Sequence, residues 1–125
     1  MPETLKIAVP TNGTGGLDAE RSAHFGHADS FTLVEIVSGQ IVNGTTITNP
    51  PHSQGGCGMT VNLLAQAGVD TAIVMGMGGG PLAAMSANRM TPLFDDQSPT
   101  PRAAVEAYLA GALTAFGGEH TCQGH

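Results

Sequence analysis

Apolar and β-branched residues mark three strand-like stretches in the first half of the chain, at 5–10, 31–37 and 41–48. Their alternation and their content of Val, Ile, Thr and Phe are typical of half-buried strands. The second and third stretches are separated by Ser38-Gly39-Gln40, which predicts a β-hairpin. The segment that follows, 49–56, is rich in proline and glycine and predicts irregular structure.

In the second half, the apolar positions switch between helical spacing and short continuous runs. The pattern predicts helices at 59–67, 81–88 and 101–113 and strands at 71–75 and 91–94. We expect Gly68 to end the first helix, and Gly117 and Gly118 to end the last. The order β-β-β-α-β-α-β-α therefore predicts an α/β fold, in which a mixed five-stranded sheet carries helices on its faces.

The composition is that of one globular domain. The chain has 125 residues, of which 41% are hydrophobic and 11% charged, and this is enough to bury a core without disulfides. We predict one domain over 1–116 and a flexible tail over 117–125, because the tail has no apolar periodicity.

Net charge and the absence of certain segment types argue against some classes of binding partner. Four Lys and Arg against ten Asp and Glu give a formal charge of −6, which argues against nucleic acid as the main partner. The sequence contains no signal-like segment and no membrane-length apolar run, so we expect no membrane partner and a cytoplasmic location. The two cysteines lie far apart in the sequence and are expected to be free thiols in a reducing compartment.

Two glycine-rich loops, at 55–59 and 75–81, carry sulfur side chains at predicted helix starts. Glycine lets a ligand approach the backbone, and a helix N-terminus offers unpaired N–H groups with a partial positive charge. Cysteine and methionine add soft donors, so the combination indicates an anionic ligand that contains metal and sulfur. The candidate ligand-binding residues in these loops are Gly56, Cys57, Gly58, Met59, Met77, Gly78, Gly79 and Gly80.

The sulfur residues also have plainer interpretations. Cys57 could be a thiolate favoured by the helix start, or a small buried residue. The methionines at 75, 85 and 90 are expected to fill the core, whereas Met77 is flanked by glycines and is a candidate metal ligand. The second loop has neither the last glycine of a dinucleotide fingerprint nor the Gly-Lys-Ser/Thr of a P-loop.

Histidines supply a second group of candidates. His24 and His27 flank Phe25 and Gly26, and both imidazoles could face one ligand if the Phe-Gly step turns. All four residues are candidate cofactor-binding residues. Alternatively, Phe25 lies in the core and both histidines are solvated. Three residues of the tail form a weaker candidate metal-binding set; alternatively, the tail is unstructured and binds no metal. That set consists of His120, Cys122 and His125.

The residue patterns of known catalytic sites are missing from the sequence. It contains no Gly-x-Ser-x-Gly motif and no His-Glu-x-x-His motif. Asp95 and Asp96 follow a predicted strand and are typical of a solvated loop rather than of an acid/base pair. We therefore expect a protein that does not catalyse a reaction.

Several of these motifs together, in this order, match a known family. The matching strings are Ser22-x-His24-Phe25-Gly26-x-Ala28-x-x-Phe31, Asn49-Pro50, Gly56-x-Gly58, Leu64-x-x-x-Gly68-Val69-Asp70, Gly76-x-Gly78-x-Gly80-Pro81 and Val105-Glu106-Ala107-Tyr108-x-x-Gly111-x-Leu113. The chain resembles the dinitrogenase iron–molybdenum cofactor biosynthesis family, which includes NifX and the C-terminal part of NifB. In many members an arginine follows the His-Phe-Gly element; here His27 removes that fixed charge and adds a candidate metal ligand.

The resemblance implies a ribonuclease-H-like fold without nuclease activity, and the binding or carriage of metal–sulfur clusters or their precursors. Small members called orange proteins, similar to this chain in size, hold a mixed molybdenum–copper sulfide cluster without covalent attachment. The implied cargo is a Mo–Cu sulfide cluster or an iron–molybdenum–sulfur precursor, with cluster-donor or cluster-acceptor proteins as partners. Backbone N–H groups of the two glycine loops would hold the anion. The candidate metal ligands are Cys57, His24, His27 and Met77.

A regulatory interaction module without a bound cluster is the alternative hypothesis. In that case the glycine loops serve tight packing, and the domain acts by docking to a partner protein. A ribonuclease-H-type enzyme is disfavoured because the acidic residues do not gather at predicted strand ends, where two-metal chemistry needs them. Retention of metal after desalting distinguishes a carrier from a docking module.

Overall fold

A mixed six-stranded sheet forms the centre of the fold. The computed structural model describes residues 4–23, 25, 28–49, 56–76 and 79–116. The strands of this described part are β1 (Thr4–Thr11), β2 (Ser30–Val37), β3 (Gln40–Thr48), β4 (Thr71–Val74), β5 (Thr91–Phe94) and β6 (Thr114–Ala115). The helices are α1 (Gly56–Gln66), α2 (Gly79–Ala87) and α3 (Pro101–Leu109). The strand order is β3-β2-β1-β4-β5-β6, with β4 parallel to both β1 and β5 and the other neighbours antiparallel.

β2 and β3 form the predicted hairpin. Ser38 and Gly39 make its turn, with φ angles of 53° and 80°. Two consecutive positive φ angles are typical of a type I′ turn, whose twist matches that of the paired strands. The hairpin places β3 at one edge of the sheet, and the predicted α/β class, a mixed sheet with helices, is confirmed.

The strand count differs from the five predicted, because the last helix is shorter than its apolar spacing indicates. α3 ends at Leu109 rather than at 113. Gly111 has a φ of +75°, and its N–H donates to the carbonyl of Tyr108, an arrangement that closes a helix and turns the chain away from its axis. Leu113 packs against the core beside α3 instead of extending the helix, and the chain then adds β6 to the edge of β5.

The first two helices start earlier than predicted, inside the glycine loops. α1 begins at Gly56 rather than at 59, and α2 begins at Gly79 rather than at 81. Glycine is a poor helix former and carries no apolar signal, so the sequence pattern did not reveal these first turns. The predicted end of α1 is confirmed, since Gly68 has a φ of +91° and its N–H donates to the carbonyl of Ala65.

The helices cover both faces of the sheet, as predicted. Residues of α1 and α2 share one core with the sheet, and residues of α3 share the other. Met85 and Met90 are 0% and 3% exposed, which confirms the core role predicted for these two methionines. None of the described helices is long and apolar enough to cross a membrane.

Candidate site at the carboxyl edge of the sheet

The parallel strands β1, β4 and β5 end at one edge of the sheet, which we call the carboxyl edge. From β1 the chain continues to β2 on one side, whereas from β4 it continues through α2 to β5 on the other side. Open α/β sheets bind ligands where the strand order reverses in this way, outside the carboxyl ends of the strands. The space between the ends of β1 and β4 is therefore the candidate site.

Both α1 and α2 direct their N-termini towards the carboxyl edge. Lys6, near the start of β1, donates from Nζ to the carbonyl of Ala67 at 2.9 Å, which places the C-terminal end of α1 at the opposite edge. α2 starts after β4 and ends ahead of β5, so it also runs away from the carboxyl edge. The first turns of α1 and α2 contain no acidic residue. The positive ends of both helix dipoles are therefore not neutralised from within these turns.

The described part of residues 22–29, which we call the His-Phe-Gly segment, joins the ends of β1 and β4. The N–H of Ser22 donates to the carbonyl of Pro10 in β1 at 2.9 Å. The N–H of Phe25 donates to the carbonyl of Gly76, just after β4, at 3.2 Å. The segment therefore lies beside the candidate site and forms part of its wall.

Phe25 lies in the core that α1 and α2 share with the sheet. Its side chain is 1% exposed, and its ring centroid lies 5.1 Å from that of Phe31 with a tilt of 52°. Such a tilted aromatic pair adds to the stabilisation from burial. Phe25 therefore anchors the His-Phe-Gly segment, and its direct contact with a cofactor stays a prediction.

Asn49 connects the end of the His-Phe-Gly segment to α1. Its Nδ2 donates to the carbonyl of Ala28 at 2.7 Å, and its backbone N–H donates to the carbonyl of Asp29 at 3.1 Å. Its Oδ1 accepts a hydrogen bond from the hydroxyl of Thr60, in the second turn of α1, at 3.2 Å. One side chain thus bridges two of the segments that the sequence singles out.

A buried ion pair holds the start of the same segment. The Nη1 of Arg21 lies 3.0 Å from Oδ2 of Asp95 and donates to the carbonyl of Ser98 at 3.0 Å. Burial lowers the pKa of the Arg21 guanidinium, and the negative charge of Asp95 opposes that shift. The prediction of a solvated loop is wrong for Asp95, whose side chain is 5% exposed, and correct for Asp96, which is exposed. The carboxylate is buried because it neutralises Arg21.

Most of the predicted ligand-contacting residues lie outside the described residues. These are His24, Gly26, His27, Met77 and Gly78, together with the tail set of His120, Cys122 and His125. At 56–59 and 79–80 the backbone is described, as the first turns of α1 and α2. Within the described part of the chain, no three His, Cys, Asp or Glu side chains are grouped so that they could hold a metal ion. The metal-ligand assignments therefore stay predictions.

Three residues that connect the site have roles that the sequence pattern did not reveal, namely Arg21, Asn49 and Thr60. Arg21 is one of only four Lys and Arg residues in the chain, which is a weak indication of a structural or functional role. Asn49 precedes a proline and belongs to the matched family strings, but its local sequence indicates only a turn. Hydrogen bonds between distant segments leave no periodic signal in a sequence.

A separate groove lies between α2 and the start of β5. It has a volume of about 470 Å³ and is lined by Leu82, Ala83, Ser86, Met90, Thr91 and Pro92. The groove runs along α2 from Leu82, in the first turn of that helix, to Thr91 at the start of β5. Its lining is mainly apolar and contains no metal-ligating histidine or cysteine, which makes it unsuited to a metal–sulfur anion.

The chain matches known proteins along nearly its whole length. The family model described as dinitrogenase iron–molybdenum cofactor matches residues 4–111. The apo form of the orange protein from Desulfovibrio gigas superposes with a TM-score of 0.78 at 24% identity, covering 94% of this chain and 98% of that chain. A NifB-like protein from Thermotoga superposes with a TM-score of 0.73 at 23% identity, covering 89% of this chain and 92% of that chain. Among curated protein sequences, none matches the chain significantly.

The two superpositions show a shared fold at low sequence identity. The family match is the stronger finding, because it spans every element from β1 to α3, including both glycine loops and the His-Phe-Gly segment. The chain therefore belongs to the dinitrogenase iron–molybdenum cofactor family.

Proposed function

We propose that this protein binds and carries a molybdenum-containing metal–sulfur cluster at the carboxyl edge, without catalysing a reaction. The observation that carries the proposal is the convergence of two helix N-termini and the His-Phe-Gly segment where the strand order reverses. The cargo is a Mo–Cu sulfide cluster or an iron–molybdenum–sulfur precursor. The ribonuclease-H-like grouping implied by the resemblance belongs to the same proposal.

Charge explains how an acidic protein could hold an anionic cargo. The formal charge of −6 opposes anion binding at long range. The first N–H groups of α1 and α2 act locally and favour negative charge within the first helical turn. Glycine at these positions lets a cluster approach the backbone closely. The local field therefore outweighs the global charge at short distance.

Soft side chains would complete the site. Cys57 and Met77 supply sulfur donors, and His24 and His27 supply imidazole nitrogen, which are the ligand types preferred by copper and by metal–sulfur clusters. The neighbouring described residues Phe25 and Gly76 support this assignment, since their backbones are hydrogen-bonded to each other. Cluster-donor and cluster-acceptor proteins are the expected partners of such a carrier.

The surroundings of Asp95 support a carrier rather than a nuclease. Two-metal hydrolysis needs several carboxylates free to ligate metal ions about 3.5–4 Å apart. Asp95, at the end of β5, is instead engaged by Arg21 and by the N–H of Gln97. A carboxylate neutralised in this way is not available to a metal ion.

The first test is a titration with tetrathiomolybdate and a copper salt under reducing conditions, followed by gel filtration and elemental analysis. We expect charge-transfer absorption that elutes with the protein, with molybdenum and copper in a fixed ratio. Cys57→Ala and Met77→Ala should lose cluster. Cys122→Ala, a matched change in the tail, should retain more cluster than either of them. Metals that elute apart from the wild-type protein would overturn the proposal for this cluster.

The alternative, a regulatory docking module, is favoured by one observation, the groove of about 470 Å³ beside α2 and β5. A docking module would retain no metal and would lose partner binding when Ala83, which is exposed in the groove, is changed to Arg. A cluster carrier should retain metal in the same variant, because Ala83 lies beyond the first turn of α2, whose N–H groups would hold the cluster.

A further inference from the structure

We propose that Asn49 is a positioning residue that holds the His-Phe-Gly segment against α1, so that two sides of the candidate site stand at a fixed separation. This inference rests on the proposed function, because it assigns a role to Asn49 at that same site. It adds a residue that contributes no metal ligand and that acts through the segments it connects.

The contacts of Asn49 point in two directions. Towards the His-Phe-Gly segment, its Nδ2 donates to the carbonyl of Ala28 at 2.7 Å and its N–H donates to the carbonyl of Asp29 at 3.1 Å. Towards α1, its Oδ1 accepts from the hydroxyl of Thr60 at 3.2 Å. The bridge therefore joins positions that are 21 residues apart in one direction and 11 residues apart in the other.

The side-chain chemistry explains why asparagine suits this position. A primary amide offers donors and an acceptor from one planar group, so it can donate to a carbonyl and accept from a hydroxyl at once. Aspartate would keep the acceptor for Thr60 and lose the donor for Ala28. Thr60 is 4% exposed, so its hydroxyl depends on a protein partner rather than on water.

The location of the bridge links it to ligand binding. Thr60 directly follows the glycine-rich first turn of α1, and Ala28 directly follows His27. A loose bridge would let the two segments separate, and a bound ligand would then have to restore their spacing at the expense of its own affinity. Cluster release should therefore be faster when the bridge is broken, even in a protein that remains folded.

Four variants test the bridge. Asn49→Ala removes the side-chain hydrogen bonds to Ala28 and Thr60, and Asn49→Asp removes the donor to Ala28. Thr60→Val removes the hydroxyl while keeping the side-chain shape, and Thr60→Ser keeps the hydroxyl.

The matched control is Asn88→Ala. The Nδ2 of Asn88 donates to Oδ1 of Asn62 in α1 at 3.1 Å and to the carbonyl of Ala84 at 2.8 Å. Asn88 is therefore also an asparagine that hydrogen-bonds both α1 and a backbone carbonyl. It follows the C-terminal end of α2, far from the carboxyl edge.

The readouts are the rate at which tetrathiomolybdate with copper dissociates from each loaded variant, and amide hydrogen exchange of each variant without the probe. Urea unfolding of each variant sets conditions at which all are equally folded. We expect Asn49→Ala to release the probe about tenfold faster, a change that corresponds to about 1.4 kcal/mol from the lost side-chain hydrogen bonds. Thr60→Val should release it faster than Thr60→Ser, and Asn88→Ala should stay within about twofold of the wild type.

The two readouts separate failure of the inference from failure of the proposed function. Equal release from Asn49→Ala and the wild type, with the probe bound by both, overturns the positioning role while the carrier function stands. A wild-type protein that retains no probe overturns the carrier function. In that case the bridge itself is judged by exchange, which should quicken at residues 28, 29 and 60 in Asn49→Ala but not in α3. Unchanged exchange at residues 28, 29 and 60 would show that Asn49 does not position the His-Phe-Gly segment against α1.

Discussion

Replacement of Arg21 by methionine is expected to destabilise the protein by about 3–5 kcal/mol, because it leaves the buried carboxylate of Asp95 without its counter-charge. The side chains of Arg21 and Asp95 are 1% and 5% exposed, so water cannot replace the lost partner. The carbonyl of Ser98 loses its hydrogen bond from Arg21 in the same variant. Asp95→Asn should cost a similar amount for the opposite reason, since it leaves the guanidinium uncompensated.

The magnitude follows from two opposing terms. At the observed separation of 3.0 Å, the attraction between the two charges is about 5–6 kcal/mol at an effective dielectric constant of about 20. Removing each ion from water costs several kcal/mol, and the net contribution of the intact pair is therefore close to zero. Nε and Nη2 of Arg21 have no hydrogen-bond partner among the described residues, which adds to the cost of burying this cation.

The double variant Arg21→Met with Asp95→Asn removes both charges and should be destabilised by only about 1–2 kcal/mol, mainly through the lost hydrogen bonds. The two substitutions are therefore expected to be strongly non-additive, with a coupling energy of about 4 kcal/mol or more.

The assay is urea unfolding of all four proteins followed by circular dichroism, since the chain contains no tryptophan to report by fluorescence. If the losses of the two single variants add to the loss of the double within about 0.5 kcal/mol, the reasoning is refuted. Single losses that are each below about 1 kcal/mol would also refute it, because they would mean that water reaches the pair.

Two further predictions concern exposed residues. Arg89 has a φ of +58° after the end of α2, where glycine is the usual residue, so Arg89→Gly should raise the free energy of unfolding by about 1 kcal/mol. Arg89→Ala keeps the Cβ and should not raise it. Equal stability of the two variants would contradict the strain argument. A hydrogen bond from Arg102 lowers the pKa of Asp18 below its ordinary value of 3.8. The stabilisation from this pair is therefore fully present at a pH above 3.8 and is lost as the pH falls through the pKa of Asp18 in the folded protein. The difference in urea midpoint between the wild type and Asp18→Asn should therefore shrink on acidification, and a difference that does not depend on pH would argue against it.

Local signals in the sequence were enough for most of the fold. Alternating β-branched residues specify β1 to β3, and Gly68 specifies the end of α1, because side-chain shape and backbone freedom act within a few residues. The same local signals failed at β6. Leu113 continues the apolar spacing of α3, and only packing against the sheet decides that it lies beyond the helix.

The candidate site was likewise predicted in part from local sequence signals, and its remaining contacts were decided by the tertiary structure. The order of the elements and the glycine loops predicted a candidate site at two helix starts, and the matched family strings predicted a metal–sulfur ligand. The pairing of Arg21 with Asp95, and the bridge from Ala28 through Asn49 to Thr60, could not be deduced in this way. Each joins segments that are far apart in the sequence, and their partners are chosen by distance in space. Periodicity reports which face of an element is buried, whereas hydrogen bonds and ion pairs between elements exist only after the chain has folded.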